Sequence, residues 1–267
     1  MSPRRFERYV AIGDSTTEGI DDPDGAGSYR GWADRFAEHV AAHQAAHGGT
    51  LAYANLAIRG RVTRQIRDEQ LGPALALEPD LATVVAGMND LLRGGFDARR
   101  IADDLGDMQR QLISRGAVVL TMTIPDIARR LTIGPIARLL SGRVRALNAE
   151  LRRVSAEAGA IVVDFAAYPL SVDPRMWSHD RLHVNTGGHA RIAVALAQAL
   201  GLPGFDHRWL DPLPDAPAIG LGSRLAEQAR WSRDFFAPWL WRRLRGVTAG
   251  DDRTAKRPAL TPVVPPR

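Results

Sequence analysis

The stretch YVAIGDSTTEG, residues 9–19, sets the pattern that the rest of the chain repeats. It opens with a short apolar run without polar alternation and ends in a turn of glycine, aspartate, serine and threonine. Such runs are typical of strands that are buried on both faces, as in a parallel sheet covered by helices. The stretch therefore predicts a buried strand followed by a tight turn. It leaves open whether Ser15 is a turn residue, an anion-binding helix cap or a nucleophile.

The same succession of a short apolar run and a segment of helical period recurs along the chain. The other strand candidates are residues 51–58, 81–87, 117–123 and 160–165, and the helix candidates are residues 30–47, 63–77, 98–115, 136–158 and 187–200. Strands that alternate with helices predict right-handed crossovers and a doubly wound sheet. We therefore predict an α/β fold over residues 1–201, a three-layer α/β/α sandwich with a central five-stranded parallel sheet.

The overall composition narrows the class of protein. The chain has 267 residues, a formal net charge of +5 and 45% hydrophobic residues, which fits a globular protein with a sizeable core. Its basic residues are almost all arginines spread along the sequence, so we expect no nucleic-acid partner. Cysteine is absent, which excludes disulfides and a cysteine nucleophile. No apolar run reaches the roughly 18 residues of a membrane span and no signal-peptide pattern opens the chain, so we expect a cytoplasmic protein.

The composition changes after Leu202. Residues 202–249 begin with a proline-rich stretch, LPGFDHRWLDPLPDAPAIGLG, and continue into a segment of helical spacing that Pro238 interrupts. We predict that this part is a strap and a helical extension packed on the α/β domain. Residues 250–267 are again rich in proline and are predicted to be a disordered tail.

The helical extension is both aromatic and basic. Its aromatic residues are Trp231, Phe235, Phe236, Trp239 and Trp241, and its arginines are Arg230, Arg233, Arg242, Arg243 and Arg245. A helix of this composition can lie on an anionic membrane surface. Because Pro238 shortens the helix, packing on the domain is favoured, and membrane contact stays the alternative.

Ligands of open α/β sheets bind beyond the carboxyl ends of the strands, so the loops that follow the strands are the candidate sites. Four such loops carry polar residues suited to chemistry: GDSTTEG with Ser15, IRGRVT with Gly60, GMND with Asn89, and DRLH with Asp180 and His183. We predict that all four converge at one edge of the sheet.

This ordered set of motifs resembles the SGNH (GDSL-type) hydrolase family of esterases and lipases. GDSTTEG matches the serine block, Gly60 the glycine block, GMND the asparagine block and DRLH the histidine block, over nearly the whole α/β part. The resemblance implies a flavodoxin-like fold and an ester-bond hydrolase with its catalytic acid and base on one loop. Two departures are visible: the surroundings of Gly60 match loosely, and Thr16 stands where the family often has leucine.

The residue types fit that chemistry. A serine hydroxyl attacks an ester only when a neighbouring base takes its proton, and His183 is the candidate base. Asp180, three residues earlier, is placed to hold the Nδ1 of His183 so that Nε2 faces Ser15. The candidate oxyanion donors are the N–H of Ser15, the N–H of Gly60 and the side-chain amide of Asn89. We therefore predict a Ser15–His183–Asp180 triad with an oxyanion hole.

Other residues of the motifs are assigned structural roles. Asp14 is expected to hold the turn at Ser15, Asp90 to act as a cap, and Glu18 to lie in the first turn of a helix, where it could border the pocket. His179 precedes Asp180 and breaks the order of acid before base, and His189 is expected to pack or cap at a helix start.

Three more histidines recur at four-residue spacing on one predicted helix: His39, His43 and His47. No set of carboxylates accompanies them, so a solvated helix face is favoured over a metal site. Neither a metal nor a cofactor is expected.

The favoured hypothesis is a serine esterase that hydrolyses small-molecule carboxylic esters through an acyl-enzyme. A lysophospholipase or thioesterase with peripheral membrane contact is the alternative. A non-catalytic anion- or nucleotide-binding domain is disfavoured because neither G-x-G-x-x-G nor G-x-x-x-x-G-K-[ST] occurs. The acyl chain, the alcohol and the oligomeric state stay open.

Overall fold

The computed structural model describes residues 5–130, 134–214, 222, 230–231, 233–234, 250 and 252–265. Within these residues the chain folds as one sheet covered by helices. The strands are β1 (Arg8–Gly13), β2 (Ala52–Asn55), β3 (Leu81–Val85), β4 (Val118–Met122), β5 (Ile161–Val163) and β6 (Arg257–Pro262). The helices are α1 (Ser15–Glu18), α2 (Gly31–Ala46), α3 (Thr63–Ala76), α4 (Ala98–Ser114), α5 (Gly134–Ala158) and α6 (Thr186–Ala199).

The strand order is β5-β4-β3-β1-β2-β6. Strands β1 to β5 pair in parallel, and β6 pairs antiparallel with β2. The predicted α/β class with a parallel-dominated sheet is confirmed. Because the chain leaves β1 for β2 on one side and returns to β3 on the other, the strand order reverses at β1. The carboxyl end of β1 is therefore the point at which such sheets bind ligands.

Both faces of the sheet are buried, which explains the apolar runs without alternation. Along β1, Tyr9 belongs to one hydrophobic core and Val10 to the other, and each is fully buried. The first core includes residues of α2 and α6, and the second includes residues of α3, α4 and α5. Successive side chains of a strand point to opposite faces, so a strand between two helical layers is mainly apolar on both faces.

Helix starts follow polar caps that the sequence supplies. Asp97 accepts hydrogen bonds from two backbone N–H groups of the first turn of α4, at 3.0 and 3.1 Å. Asn185 accepts from the N–H of Gly188 at 3.0 Å at the start of α6. Such caps satisfy donors that the helix itself leaves unpaired. The cap of α6 fixes where the chain leaves the loop that carries Asp180 and His183.

The sheet has six strands, so the prediction of five is wrong. The sixth strand, β6, lies within residues 250–267, and the prediction of a disordered tail is wrong for Arg257–Pro262. Two of the four prolines that suggested disorder, Pro258 and Pro262, stand on this edge strand, where a missing N–H costs least. Composition alone therefore misjudged this segment, because its partner strand lies some 200 residues earlier in the chain.

Lys256, the single lysine of the chain, fastens the entry to β6. Its Nζ donates to the carbonyl oxygens of Tyr29 and Arg30, at 2.9 and 2.8 Å, and to the carboxylate of Asp34 at 3.0 Å. Burial lowers the pKa of Lys256, and the charge of Asp34 opposes that shift. The ammonium is thus bound on three sides, which ties the C-terminal strand to the start of α2.

No helix in the described part of the chain is long and apolar enough to cross a membrane.

Candidate active site

Ser15 is the first residue of α1, at the carboxyl end of β1. The preceding Asp14 caps α1, since its Oδ1 accepts from the backbone N–H of Thr16 at 3.1 Å. Gly13 permits the close packing that this turn requires, because a Cβ at that position would lie 2.6 Å from the carbonyl oxygen of Val85 on β3. The apolar strand and its turn of small residues thus present Ser15 at the centre of the sheet edge.

The predicted triad residues lie in direct contact. The Oγ of Ser15 is 2.9 Å from Nε2 of His183, and Nδ1 of His183 is 2.5 Å from Oδ2 of Asp180. The other carboxylate oxygen of Asp180 accepts from the backbone N–H groups of Leu182 and His183, at 2.9 and 3.0 Å. Three side chains from two distant motifs therefore form one continuous hydrogen-bonded chain.

The electrostatics of the acid and base are set by their contact. Burial by itself lowers the pKa of His183, but the hydrogen bond and charge of Asp180 outweigh burial and hold that pKa above its ordinary value. Burial by itself raises the pKa of Asp180, and the hydrogen bonds and charge of His183 outweigh it and hold that pKa below the usual range. An ionised Asp180 favours the tautomer with a proton on Nδ1. The Nε2 atom is then free to accept the Ser15 proton.

Asp21 places a second carboxylate beside this pair. Ligand atoms of Asp21, Asp180 and His183 lie within 4.8 Å of one another. The Oδ2 of Asp21 accepts from the Ser178 hydroxyl at 2.5 Å, which holds the carboxylate in place. Its negative charge adds to the effect of Asp180 on the pKa of His183. Asp21 is not predictable from the sequence, because a carboxylate in a loop outside the four motifs carries no recognisable pattern.

Asn89 contacts the turn of Ser15 through Asp14. Its Nδ2 donates to Oδ2 of Asp14 at 3.3 Å and to the carbonyl oxygen of Arg61 at 3.0 Å. Burial raises the pKa of Asp14 to about 6, against the opposing effect of the Thr16 backbone N–H. The amide of Asn89 is therefore held beside the predicted nucleophile by one carboxylate and one carbonyl.

Gly60 lies between two residues that are tied to this site. Glu18, on the helix that starts with Ser15, accepts from the backbone N–H of Arg59 at 2.9 Å and also pairs with its guanidinium. On the other side of Gly60, the carbonyl of Arg61 accepts from Asn89. Gly60 itself has a φ of +79°, in the left-handed region that favours glycine. The contacts of Glu18 thus hold the loop that carries Gly60 against α1.

Asp90 joins the asparagine loop to α3. Its Oδ2 accepts from the backbone N–H and the hydroxyl of Thr63, both at 2.9 Å, at the first residue of that helix. Burial raises the pKa of Asp90. Asp90 therefore binds the first N–H of α3 from a separate loop and is not the N-cap of the short 3-10 helix at Asp90–Leu92, where Asn89 stands.

An apolar pocket opens beside Ser15 and His183, at the carboxyl ends of β3, β4 and β5. Its wall includes Thr16, next to Ser15, and Leu182, next to His183. The remaining lining is mostly apolar and includes Ala86, Met122, Ile124, Phe165, Met176 and Trp177. Its volume is about 70 Å³. Roughly 10–15 Å³ by the same measure holds one water molecule, so the pocket has room for a few heavy atoms.

The other histidines have structural contacts. His189 is buried, and its Nδ1 accepts from the backbone N–H of Trp32 at 3.1 Å while Nε2–H donates to the carbonyl of Ile20 at 3.0 Å. Burial lowers its pKa to about 4, so His189 is neutral at neutral pH. On α2, His43 packs against His47 with ring centroids 4.6 Å apart, and His39 packs against a phenylalanine of the following strap.

Part of the aromatic and basic extension can be placed. Trp231 packs on the domain, where its Nε1–H donates to the carbonyl oxygen of Asp180 at 3.0 Å. Arg233 pairs with the neighbouring Asp234. The other residues named above on this segment, apart from Arg230, lie outside the described part of the chain: Phe235, Phe236, Pro238, Trp239, Trp241, Arg242, Arg243 and Arg245.

Sequence comparison identifies the family. The sequence model of the GDSL-like Lipase/Acylhydrolase family matches residues 11–191, more than half of the chain and the part that holds every predicted site residue. The chain belongs to this family. The GDSL-like hydrolase is therefore an enzyme that acts on ester bonds, and its predicted resemblance is confirmed. A search of curated proteins finds no match.

Solved structures of GDSL-like and related hydrolases share the fold. A lipase/acylhydrolase from Enterococcus faecalis is 22% identical, with a TM-score of 0.57 over 72% of this chain and 94% of its own. A lipase from a goat rumen metagenome is 16% identical, with a TM-score of 0.59 over 75% and 99%. A mutant of an acetyl-xylooligosaccharide esterase from Geobacillus is 20% identical, with a TM-score of 0.56 over 80% and 100%.

Proposed function

We propose that this GDSL-like hydrolase is a serine esterase that cleaves carboxylic esters of small molecules through an acyl-enzyme on Ser15. The observation that carries the proposal is the hydrogen-bonded chain from Ser15 through His183 to Asp180. A serine whose Oγ lies within hydrogen-bond reach of a histidine, itself oriented by a carboxylate, is the arrangement that activates a nucleophile.

The reaction follows from this geometry. The Oγ of Ser15 attacks the ester carbonyl as Nε2 of His183 takes its proton. The tetrahedral intermediate collapses, the alcohol leaves with the proton from Nε2, and the acyl group stays on Ser15. Water then attacks the acyl-enzyme with Nε2 as base, and the proton returns to Ser15 as the acid is released. Asp180 stays ionised and stabilises the imidazolium in both steps.

The oxyanion of each intermediate is assigned to the N–H of Ser15, the N–H of Gly60 and the Nδ2 of Asn89. Asn89 already donates to Asp14 and to the carbonyl of Arg61. These two hydrogen bonds fix the orientation of the Asn89 amide before the reaction. One of its N–H groups can then also donate to the oxyanion, which is the preorganisation that such sites need.

The apolar pocket is the proposed acyl site. Its wall includes Thr16 and Leu182, the sequence neighbours of Ser15 and His183. Its volume suits an acyl chain of a few carbon atoms. The family alone leaves the substrate open, and the pocket favours short acyl esters over long ones.

A chain-length series of p-nitrophenyl esters, from acetyl to decanoyl, tests the proposal. We expect the highest kcat/KM on short chains, with Ser15→Ala inactive on all of them. Ala86 lines the pocket and is 4% exposed, so Ala86→Leu narrows it. This variant should lose activity on butyryl and longer esters while the acetyl ester, which needs less room, reports an intact triad. No hydrolysis of any ester by folded wild-type protein would refute the proposal.

A lipid hydrolase is the second candidate, and one observation favours it. Ile136 and Leu139 near the start of α5 are 44% and 56% exposed, and this helix follows the loop whose Ile124 and Pro125 line the pocket. Lysophospholipids and acyl thioesters added to the same series separate the candidates. A preference for lysophospholipid in vesicles, lost in Leu139→Ser, would favour the lipid hydrolase.

A further inference from the structure

The C-terminal part of the chain, residues 202–267, lies beyond the family match and forms a C-terminal extension that includes the strap, the helical segment and the tail. The family match ends at residue 191, and the three solved structures overlap 72%, 75% and 80% of this chain while covering almost all of their own. The shared fold is therefore shorter than this chain, and the C-terminal extension lies outside the family match. Two residues of this extension, Trp231 and Gly250, contact loops of the candidate active site.

The first residue is Trp231, which lies on the turn that carries the acid and the base. Its Nε1–H donates to the carbonyl oxygen of Asp180 at 3.0 Å, and the guanidinium of Arg181 lies 4.8 Å from the centre of its ring. A guanidinium over an indole face is a favourable cation–π contact. Trp231 thus binds two successive residues of the four-residue turn from Asp180 to His183.

The second residue is Gly250, which lies on the glycine loop. A Cβ at Gly250 would overlap the carbonyl oxygen of Arg59 and lie 3.2 Å from the side chain of Ile58. The backbone of the extension therefore packs directly on the residue before Gly60. The extension touches the site on its histidine side and on its glycine side.

The turn at Asp180 is one that needs support. Arg181 has a φ of +61°, a left-handed conformation that is unfavourable for a residue with a side chain. Both carboxylate oxygens of Asp180 bind groups inside the turn, at Leu182 and His183. The backbone carbonyl of Asp180 is the group that turns outward to Trp231. The indole therefore holds the strained turn from outside without competing for the carboxylate.

We propose that Trp231 is a positioning residue of the catalytic site, through which the C-terminal extension holds the Asp180–His183 turn in register with Ser15. This role rests on the proposed function of the triad. Trp231 does not touch the reacting atoms; it acts through the backbone of Asp180. On this proposal the extension contributes to catalysis, and the GDSL-like domain without it is less active.

Trp231→Phe tests the proposal, because it removes the N–H donor and keeps an aromatic face for Arg181. We expect kcat on a short ester to fall about 3- to 10-fold per active site, the effect of losing about one hydrogen bond. A looser turn also weakens the contact of Asp180 with His183. The acid limb of the kcat/KM profile should therefore move to lower pH, which a loss of folded protein alone would not cause.

Trp209→Phe is the matched control. Its Nε1–H donates to Oε1 of Gln198 at 2.6 Å, so the same atom is removed from a hydrogen bond between α6 and the following strap. We expect the pH profile and the rate per site of this variant to match wild type. Titration of active sites with a fluorophosphonate counts folded enzyme, so partial unfolding lowers the amplitude and not the rate per site.

An unchanged rate and pH limb in Trp231→Phe would overturn the proposal, as would an equal shift in Trp209→Phe. If Trp231→Phe does not fold, Arg181→Met decides through kcat alone, since it removes the cation–π contact and should give a smaller fall in kcat per active site; an unchanged kcat would overturn the proposal. A wild-type protein that hydrolyses no ester and takes up no fluorophosphonate would instead refute the proposed function, so the two failures are distinguishable.

Discussion

The Nε2 of His183 lies 2.9 Å from the Oγ of Ser15, across 168 residues of sequence. Behind the imidazole, the carboxylate of Asp180 holds Nδ1 and keeps the pKa of His183 above its ordinary value. The proposed hydrolysis of esters by this pair needs His183 neutral, so kcat/KM should rise with pH through a midpoint above that of an unperturbed histidine. Its pH profile therefore reports directly on the contacts of His183.

Asp180→Asn removes the charge that orients and stabilises the imidazolium. We expect kcat to fall by about 10⁴, the loss that follows when the triad histidine is left in the wrong tautomer. The residual activity should show its acid limb at lower pH than wild type, since the main cause of the raised pKa of His183 is gone. A profile of kcat/KM against pH on a short p-nitrophenyl ester measures both effects. An unshifted limb would contradict the role given to Asp180.

Asp21→Asn separates the second carboxylate from the first. The amide can still accept from the Ser178 hydroxyl, so the loop keeps its contact while one negative charge beside His183 is lost. We expect the acid limb to move to lower pH and the plateau to change by less than about 10-fold, the size of a single weak electrostatic contact. Asp24→Asn, on an exposed part of the same loop, is the control and should leave the limb in place.

Asn89→Ala removes one proposed oxyanion donor. The expected loss in kcat is about 10²–10³, with little change in KM, because the donor acts on charge that develops in the transition state. Steady-state kinetics and a melting curve, measured together, check this result. A variant that keeps kcat would show that Asn89 serves only to hold Asp14 and the loop of Arg61.

Asp14→Asn trades stability against activity. The pKa of Asp14 is raised to about 6 by burial, so the folded protein binds this proton more tightly than the unfolded chain does. The ionised carboxylate therefore costs stability above pH 6, by about 1–3 kcal/mol, and costs nothing below the ordinary aspartate range. We expect the melting temperature of Asp14→Asn, relative to that of wild type, to be higher at pH 8 than near pH 3, whatever the lost hydrogen bond from Asn89 costs at both pH values.

The same Asp14→Asn variant should be slower on esters. In this variant the side-chain oxygen at position 14 accepts from the N–H of Thr16, so the side-chain nitrogen faces Nδ2 of Asn89. An amide nitrogen cannot accept a hydrogen bond, and the contact with Asn89 is lost. Equal kcat in wild type and variant at pH 8 would contradict this account of how Asn89 is held.

Sequence patterns predicted the fold where the local pattern of apolar residues agrees with the structure that the segment adopts. The run before Gly13 and the alternation of strands and helices predicted the layers of the α/β domain, because burial on both faces makes the strands mainly apolar. The same logic failed at Arg257–Pro262, since an edge strand needs only one partner and tolerates proline. The pairing of β6 with β2 is a long-range contact, which the local composition of either segment does not predict.

The candidate site divides in the same way. Ser15, Asn89, Asp180 and His183 stand in short motifs, so the sequence names them before any geometry is known. Asp21 and Trp231 contact the same turn from a loop and from the extension, and no motif marks either. Residues that act on a site through space, by charge or through a backbone carbonyl, become visible only when the chain is folded.

Labelling with a fluorophosphonate tests the central claim most directly. Intact mass spectrometry of wild-type protein should show one adduct per chain, and peptide mapping should place it on Ser15. Ser15→Ala should take up none, and Asp180→Asn should label far more slowly. Folded wild-type protein that stays unlabelled, or an adduct on another residue, would contradict the account of Ser15 as the nucleophile of this GDSL-like hydrolase.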